Sequence, residues 1–290
     1  MYSSKIILGT VQFGLAYGIA NVNGKPSFET VCDIVKAAYE GGIQTLDTAA
    51  AYGDSETVLG RALAKLGLQR SLSVISKVPA IEAKTDAQAS AFIVRSITDS
   101  LKNLGIKRLS ACLLHREEDI RFLPLLEKMV DKGLIGAAGV SLDSSYYIHE
   151  GASAQCVQLP CNILDQRFDT FWPLATANNT HVFSRSVYLQ GLLLMPEKNI
   201  KPSLSAVIPI RRALAALACE AGCTMAELCM RFVLSNPAIS GVLVGVDTAE
   251  QLNENLHVAS HGPLPADLLQ AIDAVVPELP ETIVRPALWQ

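Results

Sequence analysis

Eight short apolar runs, each followed by a longer segment of helical period, constrain this chain more than any other feature. The runs fall at 5–10, 43–48, 72–77, 109–115, 135–140, 155–160, 180–186 and 239–245. Continuous apolar runs of strand length suit strands that are buried on both faces, as in parallel sheets. Parallel neighbours need long crossovers, and helical segments near 28–40, 55–66, 86–104, 119–132, 144–150, 166–178, 224–235 and 248–258 can supply them. Eight β-then-α units fit a closed α/β barrel of the (β/α)8 TIM type better than an open doubly wound sheet. The 290 residues are within the usual size of one such barrel, so a single barrel domain over 1–290 is expected. One more helix at 264–274 and a short proline-containing tail, 275–290, complete the reading.

Local signals place several boundaries. Gly41–Gly42 ends the 28–40 helix, because glycine accepts the left-handed conformation of a helix C-terminus. Asp54 or Ser55 can cap the 55–66 helix, with Glu56 adding negative charge to its first turn. Asn236–Pro237 stops the 224–235 helix. Two loops are long, 11–27 after the first strand and 187–210 after the seventh. Both follow strands, so both should lie at the C-terminal face of the barrel, where long loops often bind or cover ligands.

Composition narrows the function classes. Net charge is −4, and the cationic clusters are pairs such as Lys107–Arg108 and Arg211–Arg212, so nothing suggests a nucleic-acid or anionic membrane surface. No apolar run approaches the roughly 20 residues of a membrane span. The start, MYSSKIILGT, has no signal-type apolar region, which points to a cytoplasmic protein. Seven scattered cysteines read as buried thiols rather than a disulfide framework, although Cys219 and Cys223 are spaced to share a helix face. No metal-ligand spacing accompanies them, and no metal site is expected.

The chemistry-bearing residues collect at strand ends. Three successive apolar runs finish in Asp47, Lys77 and His115, and Tyr52 stands in a glycine-bearing loop just past the first, in LDTAAAYGDSE. Barrels keep their chemistry at the C-terminal ends of their strands. Singly, each side chain has an ordinary structural use, such as a loop cap, a solvated lysine or a core histidine. Together they suit one task. A phenol can protonate a carbonyl oxygen, an ammonium beside it stabilises the phenolate, a carboxylate holds the ammonium, and a histidine can orient the carbonyl.

With these residues in view, the chain resembles the aldo-keto reductase superfamily, of the bacterial type with a short C-terminal tail. The matching segments are ILGTVQFG (7–14), GIQTLDTAAAYGDSETVLGRAL (42–63), VISKV (74–78), CLLHR (112–116), IGAAGVS (135–141), VQLPCNILDQR (157–167), SRSVYLQGLLL (184–194) and LVGVDTAEQLNENL (243–256). The resemblance implies an NADP(H)-dependent oxidoreductase that reduces an aldehyde or ketone to an alcohol, with NAD(H) as the other cofactor. Tyr52 would be the general acid, Lys77 and Asp47 would tune it, and His115 would orient the carbonyl. No GxGxxG fingerprint follows a strand, which disfavours a Rossmann site. Instead the resemblance implies an extended dinucleotide across the barrel mouth. Ser141 and Gln158 would hold the carboxamide, with Gly9, Thr10 and Asp47 beside the nicotinamide. Ser186, Leu189 and Gly191 would line the pyrophosphate, and Gly245, Gln251, Glu254 and Asn255 would surround the adenosine.

Three departures from the family pattern stand out. Leu142 follows Ser141 where an asparagine is common, and Arg185 takes the place of an aromatic residue that stacks on the nicotinamide. Segment 244–252 has no lysine or arginine for a 2′-phosphate, and its Asp247 could instead accept from a ribose hydroxyl. Arg231 or Arg212 would be the remaining sources of a cation. Phe13, Tyr17, Tyr52, Arg116, Arg167, Phe168 and Trp172 are candidate pocket residues, compatible with a sugar, a pyridoxal-type aldehyde or a generic aldehyde. Arg116 and Arg167 could attract an anionic substrate, although surface or salt-bridge roles are the more ordinary use. Rival readings are an NAD-dependent sugar or polyol dehydrogenase working in the oxidative direction and a non-catalytic cofactor-binding barrel. The expected partner is a small carbonyl or alcohol, and the expected assembly is a monomer or weak homo-oligomer.

Overall fold

A computed structural model describes residues 5–19, 21 and 24–289 of the chain. Residues 1–4, on which part of the N-terminal reading falls, and Ala20, Val22 and Asn23 of the first long loop lie outside the described residues. All eight expected strands are present: β1 (Ile6–Gly9), β2 (Thr45–Asp47), β3 (Ser73–Val78), β4 (Ala111–Leu114), β5 (Ala138–Ser141), β6 (Cys156–Pro160), β7 (His181–Arg185) and β8 (Ile239–Gly245). Each pairs in parallel with the next, and β8 returns to β1, closing the barrel. The closing register sets Ile6 beside Val242 and Gly9 beside Gly245.

The period-2 alternation of strand side chains builds two layers inside the barrel. Ile7, Ile75, Leu113 and Cys156 pack together in the interior with Phe183 and Leu243. Two residues further along the same strands, or just past their ends, stand Gly9, Lys77, His115, Gln158, Arg185 and Gly245. The apolar layer is therefore a floor, and the polar strand ends form the layer above it. On the outer face, Ile6, Leu8, Leu46, Val74 and Val157 pack into the main core with the helices Phe28–Glu40, Ser55–Leu66 and Asp86–Leu104.

The helices follow the sequence reading with instructive exceptions. Phe28–Glu40, Ser55–Leu66 and Asp86–Leu104 have the expected bounds. The expected 119–132 helix begins as a 3-10 turn, Glu117–Phe122, before Leu123–Asp131. The expected loop 187–210 ends in a helix that the periodicity did not disclose, Val207–Glu220. Pro209 stands third in it, a position whose amide has no intrahelical acceptor, so the proline is tolerated. That helix stops before Cys223, with Gly222 left-handed at φ 67°, so Cys219 and Cys223 do not share a helix face. The left-handed residue after Phe28–Glu40 is Gly42, at φ 84°, while Gly41 keeps helical angles. Asp54 occupies the N-cap of Ser55–Leu66 without a side-chain cap bond, because its carboxylate pairs with Lys25. Among the described residues no single helix is long and apolar enough to cross a membrane.

Candidate active site

The ends of β2 and β3 bring two opposite charges together below the surface. Lys77 Nζ donates to Asp47 Oδ1 at 2.6 Å and to the Thr48 carbonyl at 2.9 Å. Both residues are almost fully buried. Burial opposes the charged ammonium, but the Asp47 carboxylate and then Tyr52 outweigh it and hold Lys77 above the usual lysine range. Asp47 Oδ2 accepts from Gln158 Nε2 at 2.9 Å. A carboxylate only accepts, so the carbonyl oxygen of Gln158 is left as an acceptor beside Ser141, its neighbour in the β5–β6 register.

Tyr52 lies over this pair, with Lys77 Nζ 4.9 Å from its ring centroid. The His115 ring meets it edge-on, at 5.4 Å between centroids and 83° between planes. Burial first, then the charges of Lys77 and Arg185, push His115 down to about 3. The imidazole is therefore neutral near pH 7. It offers one N–H donor and one acceptor, and it does not add a third positive charge.

Short-range packing fixes the loop that carries Tyr52. Gly14, at the end of the turn Val11–Gly14, and Gly53 face one another. A Cβ on Gly14 would fall 1.7 Å from the Tyr52 carbonyl oxygen, and one on Gly53 would fall 2.6 Å from the Gly14 carbonyl oxygen. Beneath the loop, Ser55 Oγ donates to the Thr10 carbonyl at 2.8 Å and lies 3.1 Å from Thr48 Oγ1. Thr10 Oγ1 donates to the Asp47 carbonyl at 2.9 Å. These buried hydroxyls tie the ends of β1 and β2 to the Tyr52 loop.

All of this opens into a cavity of about 1100 Å³ across the C-terminal ends of the strands. Tyr52, Asp47, His115, Gly9, Thr10, Ser141, Gln158, Arg185, Ser186, Gly191, Gly245, Gln251, Glu254 and Asn255 all line it. Leu189 does not, because its side chain is buried in an apolar cluster with Leu192, Leu193 and Leu204. Its backbone is left-handed at φ 46°, as are Ser186 at φ 65° and Gln190 at φ 51°. Three such non-glycine residues in one loop mark a segment held in an unusual shape at the cavity wall. Arg185 lines the cavity with its guanidinium fixed in orientation, Nη2 donating to Asp143 Oδ1 at 2.8 Å and to the Leu142 carbonyl at 3.0 Å.

Other candidates are brought elsewhere. Phe13 and Phe168 are buried in the main core. Trp172 packs against that core, with Nε1 donating to Asp169 Oδ1 at 3.2 Å. Arg167 has a structural use, with Nε 2.7 Å from Asp165 Oδ1 and Nη1 3.1 Å from Glu281 Oε1. Arg116 lines the cavity but bonds Asp119 Oδ1 at 3.2 Å. Tyr17 lines the cavity as expected and accepts from Gln190 Nε2 at 3.2 Å, joining the two long loops.

Among the lining residues that escaped the sequence reading are Gln12, Asp143 and Arg285. Gln12 lies against β8, where a Cβ on Gly245 would come 2.6 Å from its Nε2. Its position just past β1 was the one available signal. Arg285 reaches the mouth because the tail folds back over it, with Nε donating to Asp143 Oδ2 at 2.9 Å.

The cavity suits an extended polar ligand. Its size is that of a cofactor site. Gln12 Oε1 and Asp247 Oδ1, both on its wall, are buried without a hydrogen-bond partner. Buried polar atoms in folded proteins nearly always have partners, so these two are acceptors suited to ligand donors. A nicotinamide dinucleotide, with its amide and ribose hydroxyls, fits that donor demand.

The comparisons agree with this fold. The sequence model described as the Aldo/keto reductase family matches residues 5–277. L-galactose dehydrogenase of Arabidopsis thaliana is 26% identical over 273 residues, covering 86% of this chain and 83% of that protein. A Schizosaccharomyces pombe protein named "Putative voltage-gated potassium channel subunit beta" is 26% identical, covering 83% of each chain. Among solved structures, the holo form of an aldo-keto reductase from Bacillus halodurans superposes with a TM-score of 0.76 at 20% identity, covering 95% of this chain and 93% of that one. That likeness speaks for the fold alone. By its sequence match and its barrel, the chain belongs to the aldo/keto reductase family.

Proposed function

We propose that this oxidoreductase reduces an aldehyde or ketone to an alcohol with a nicotinamide dinucleotide. The observation that carries the reading is the buried Lys77–Asp47 pair at 2.6 Å beneath the Tyr52 ring, with a neutral His115 across from it. A bound dinucleotide would supply the hydride for the carbonyl carbon. The Tyr52 hydroxyl gives its proton to the carbonyl oxygen. The phenolate left behind is stabilised by the Lys77 ammonium, which Asp47 holds in place. The His115 N–H orients the carbonyl oxygen by hydrogen bonding. Ser141 and the carbonyl oxygen of Gln158 hold the carboxamide, and Gln12 offers a further acceptor on the cavity wall. Gly245 and the cavity-lining residues of the loop 186–191 would hold the rest of the dinucleotide.

In the reverse direction the same residues serve an alcohol, with Tyr52 as base. Oxidation of a sugar or polyol is the second reading, and the L-galactose dehydrogenase relative favours it. A third reading, a barrel that binds cofactor without turnover, would have no use for a tyrosine set over a buried ammonium.

The test is turnover of NADH and NADPH with a panel of activated aldehydes, and of NAD and NADP with a sugar and polyol panel. Consumption of reduced dinucleotide on the aldehyde panel supports the first reading. Turnover confined to the alcohol panel supports the second. Dinucleotide binding without turnover on either panel leaves the third.

A further inference from the structure

The cavity wall carries its cations unevenly. Around Tyr52 and His115 stand Arg116, Arg185 and Arg285, together with the acids Asp47, Glu117, Glu118 and Asp143. The segments after β8 and before Met225–Leu234 contribute Thr224, Asp247, Gln251, Glu254 and His257. This second set contains no lysine or arginine. Burial alone acts on the Asp247 carboxyl, raising it above the usual carboxylate range, and no neighbouring charge perturbs it. Its Oδ1 is buried and unpartnered. Its backbone N–H is already taken, donating to Gln251 Oε1 at 2.8 Å.

We propose that Asp247 selects the cofactor, accepting from a free hydroxyl of the adenosine ribose, so that this chain prefers NAD(H) to NADP(H). The inference rests on the cofactor reading above. If the nicotinamide lies at Tyr52, where hydride must arrive, the adenosine end of an extended dinucleotide reaches the other set. A ribose hydroxyl there supplies the donor that Asp247 Oδ1 lacks. A 2′-phosphate instead places close to two negative charges beside a partly buried carboxylate.

The two cations that the sequence offered for such a phosphate are engaged elsewhere. Arg231 donates to the carbonyls of Gly262 and Pro263 at 3.0 Å each and pairs with Glu227 at 2.8 Å. Arg212 pairs with Glu197 at 2.7 Å. Neither lines the cavity. His257 is the basic side chain of the set, and it packs edge-on against His261, whose Nδ1 lies 2.9 Å from Glu227 Oε1. The helix Ala249–Ser260 begins beside Asp247, and its first-turn amides would otherwise favour a phosphate. There Thr248 accepts from Gln251 N at 3.3 Å. The Glu250 carboxyl is held below the usual range by its own backbone N–H and then by Thr248. An acid thus already stands in the first turn of that helix. The proposal departs here from the sequence expectation, which ranked NADP(H) first.

Equilibrium binding decides the matter without turnover. NADH and NADPH are titrated into the intact protein, followed by protein fluorescence, at about pH 8 so that imidazoles stay neutral. The wild type should bind NADH at least about tenfold more tightly than NADPH, the scale of one charge-assisted hydrogen bond. Asp247→Asn keeps the shape and removes the charge, and it should narrow that ratio several-fold, roughly, mainly by strengthening NADPH. Asp247→Arg should favour NADPH, with an unchanged circular dichroism spectrum showing that it folds. Equal or tighter NADPH binding by the wild type overturns the inference and leaves the cofactor reading standing. A ratio unchanged in Asp247→Asn removes Asp247 as the selecting group. Binding of neither dinucleotide overturns the cofactor reading itself, and the inference with it.

Discussion

Burial, Lys77 and Arg185 all disfavour the charged form of His115. The ordinary histidine value is about 6.5, whereas here the group is pushed down to about 3. The ring resonances of His115 should therefore stay flat in NMR spectra between about pH 5 and 8. A midpoint near the ordinary value would show that the imidazole is not held neutral. The linkage has a definite sign. In the unfolded chain this histidine takes up a proton below about 6.5, and in the folded chain it does not. Its contribution to stability is complete above that value and is lost progressively as pH falls towards 3. Lys77 makes the complementary case. Lys77→Met leaves Asp47 buried without its cation, a change that costs roughly 3–5 kcal/mol when one partner of a buried pair is removed. Both thermal stability and reduction should suffer. Lys77→Met combined with Asp47→Leu should recover much of the stability by denaturant titration and none of the activity. Recovered activity in the double variant would show that the ammonium is dispensable. Asp47, Lys77 and His115 were legible in the sequence because strand periodicity puts strand-end residues into the barrel mouth. Asp143 and Arg285 were not, since only a tail that returns over the mouth joins them.

At the scale of elements, the Tyr52 loop is set by a contact between two glycines. Gly14 and Gly53 bring two turns closer than any Cβ would allow. Gly14→Ala must push the Tyr52 backbone away, at an overpacking cost of typically about 1–3 kcal/mol. A misplacement near 1 Å lowers catalysis by up to about a hundredfold. We expect kcat to fall by roughly that order, while dinucleotide affinity moves much less. Equal losses in both would mean that the variant disturbs the whole mouth rather than the tyrosine. The strands were readable from short apolar runs because parallel barrel strands are buried on both faces. Val207–Glu220 was hidden because Pro209 and the apolar run before it blur the helical period at its start. The capping of Ser55–Leu66 was misread for a different reason. Asp54 has a competing partner in Lys25, and a contact between residues so far apart in sequence leaves no local mark.

At the scale of the whole molecule, the C-terminal tail is tied to the barrel by charge. Arg285 bridges Asp143 at 2.9 Å and Glu281 at 2.8 Å, and Glu281 reaches Arg167. These side chains are partly exposed, so the pairs contribute little to global stability, about 1 kcal/mol or less. Their role is to place the tail. Arg285→Ala should speed amide hydrogen exchange in residues 281–289 with little change in the denaturant midpoint. Unchanged exchange there would show that the charges do not anchor the tail. The central claim concerns Tyr52, the side chain that the barrel, the glycine contact and the buried ion pair all serve to place. Tyr52→Phe keeps the ring and removes only the proton donor. The most direct measurement is the single-turnover rate of hydride transfer by this variant with saturating reduced dinucleotide and an aldehyde substrate. The rate should fall at least about a hundredfold, the usual scale of general acid catalysis, with dinucleotide affinity unchanged. A wild-type rate under conditions where the chemical step is limiting would contradict the account.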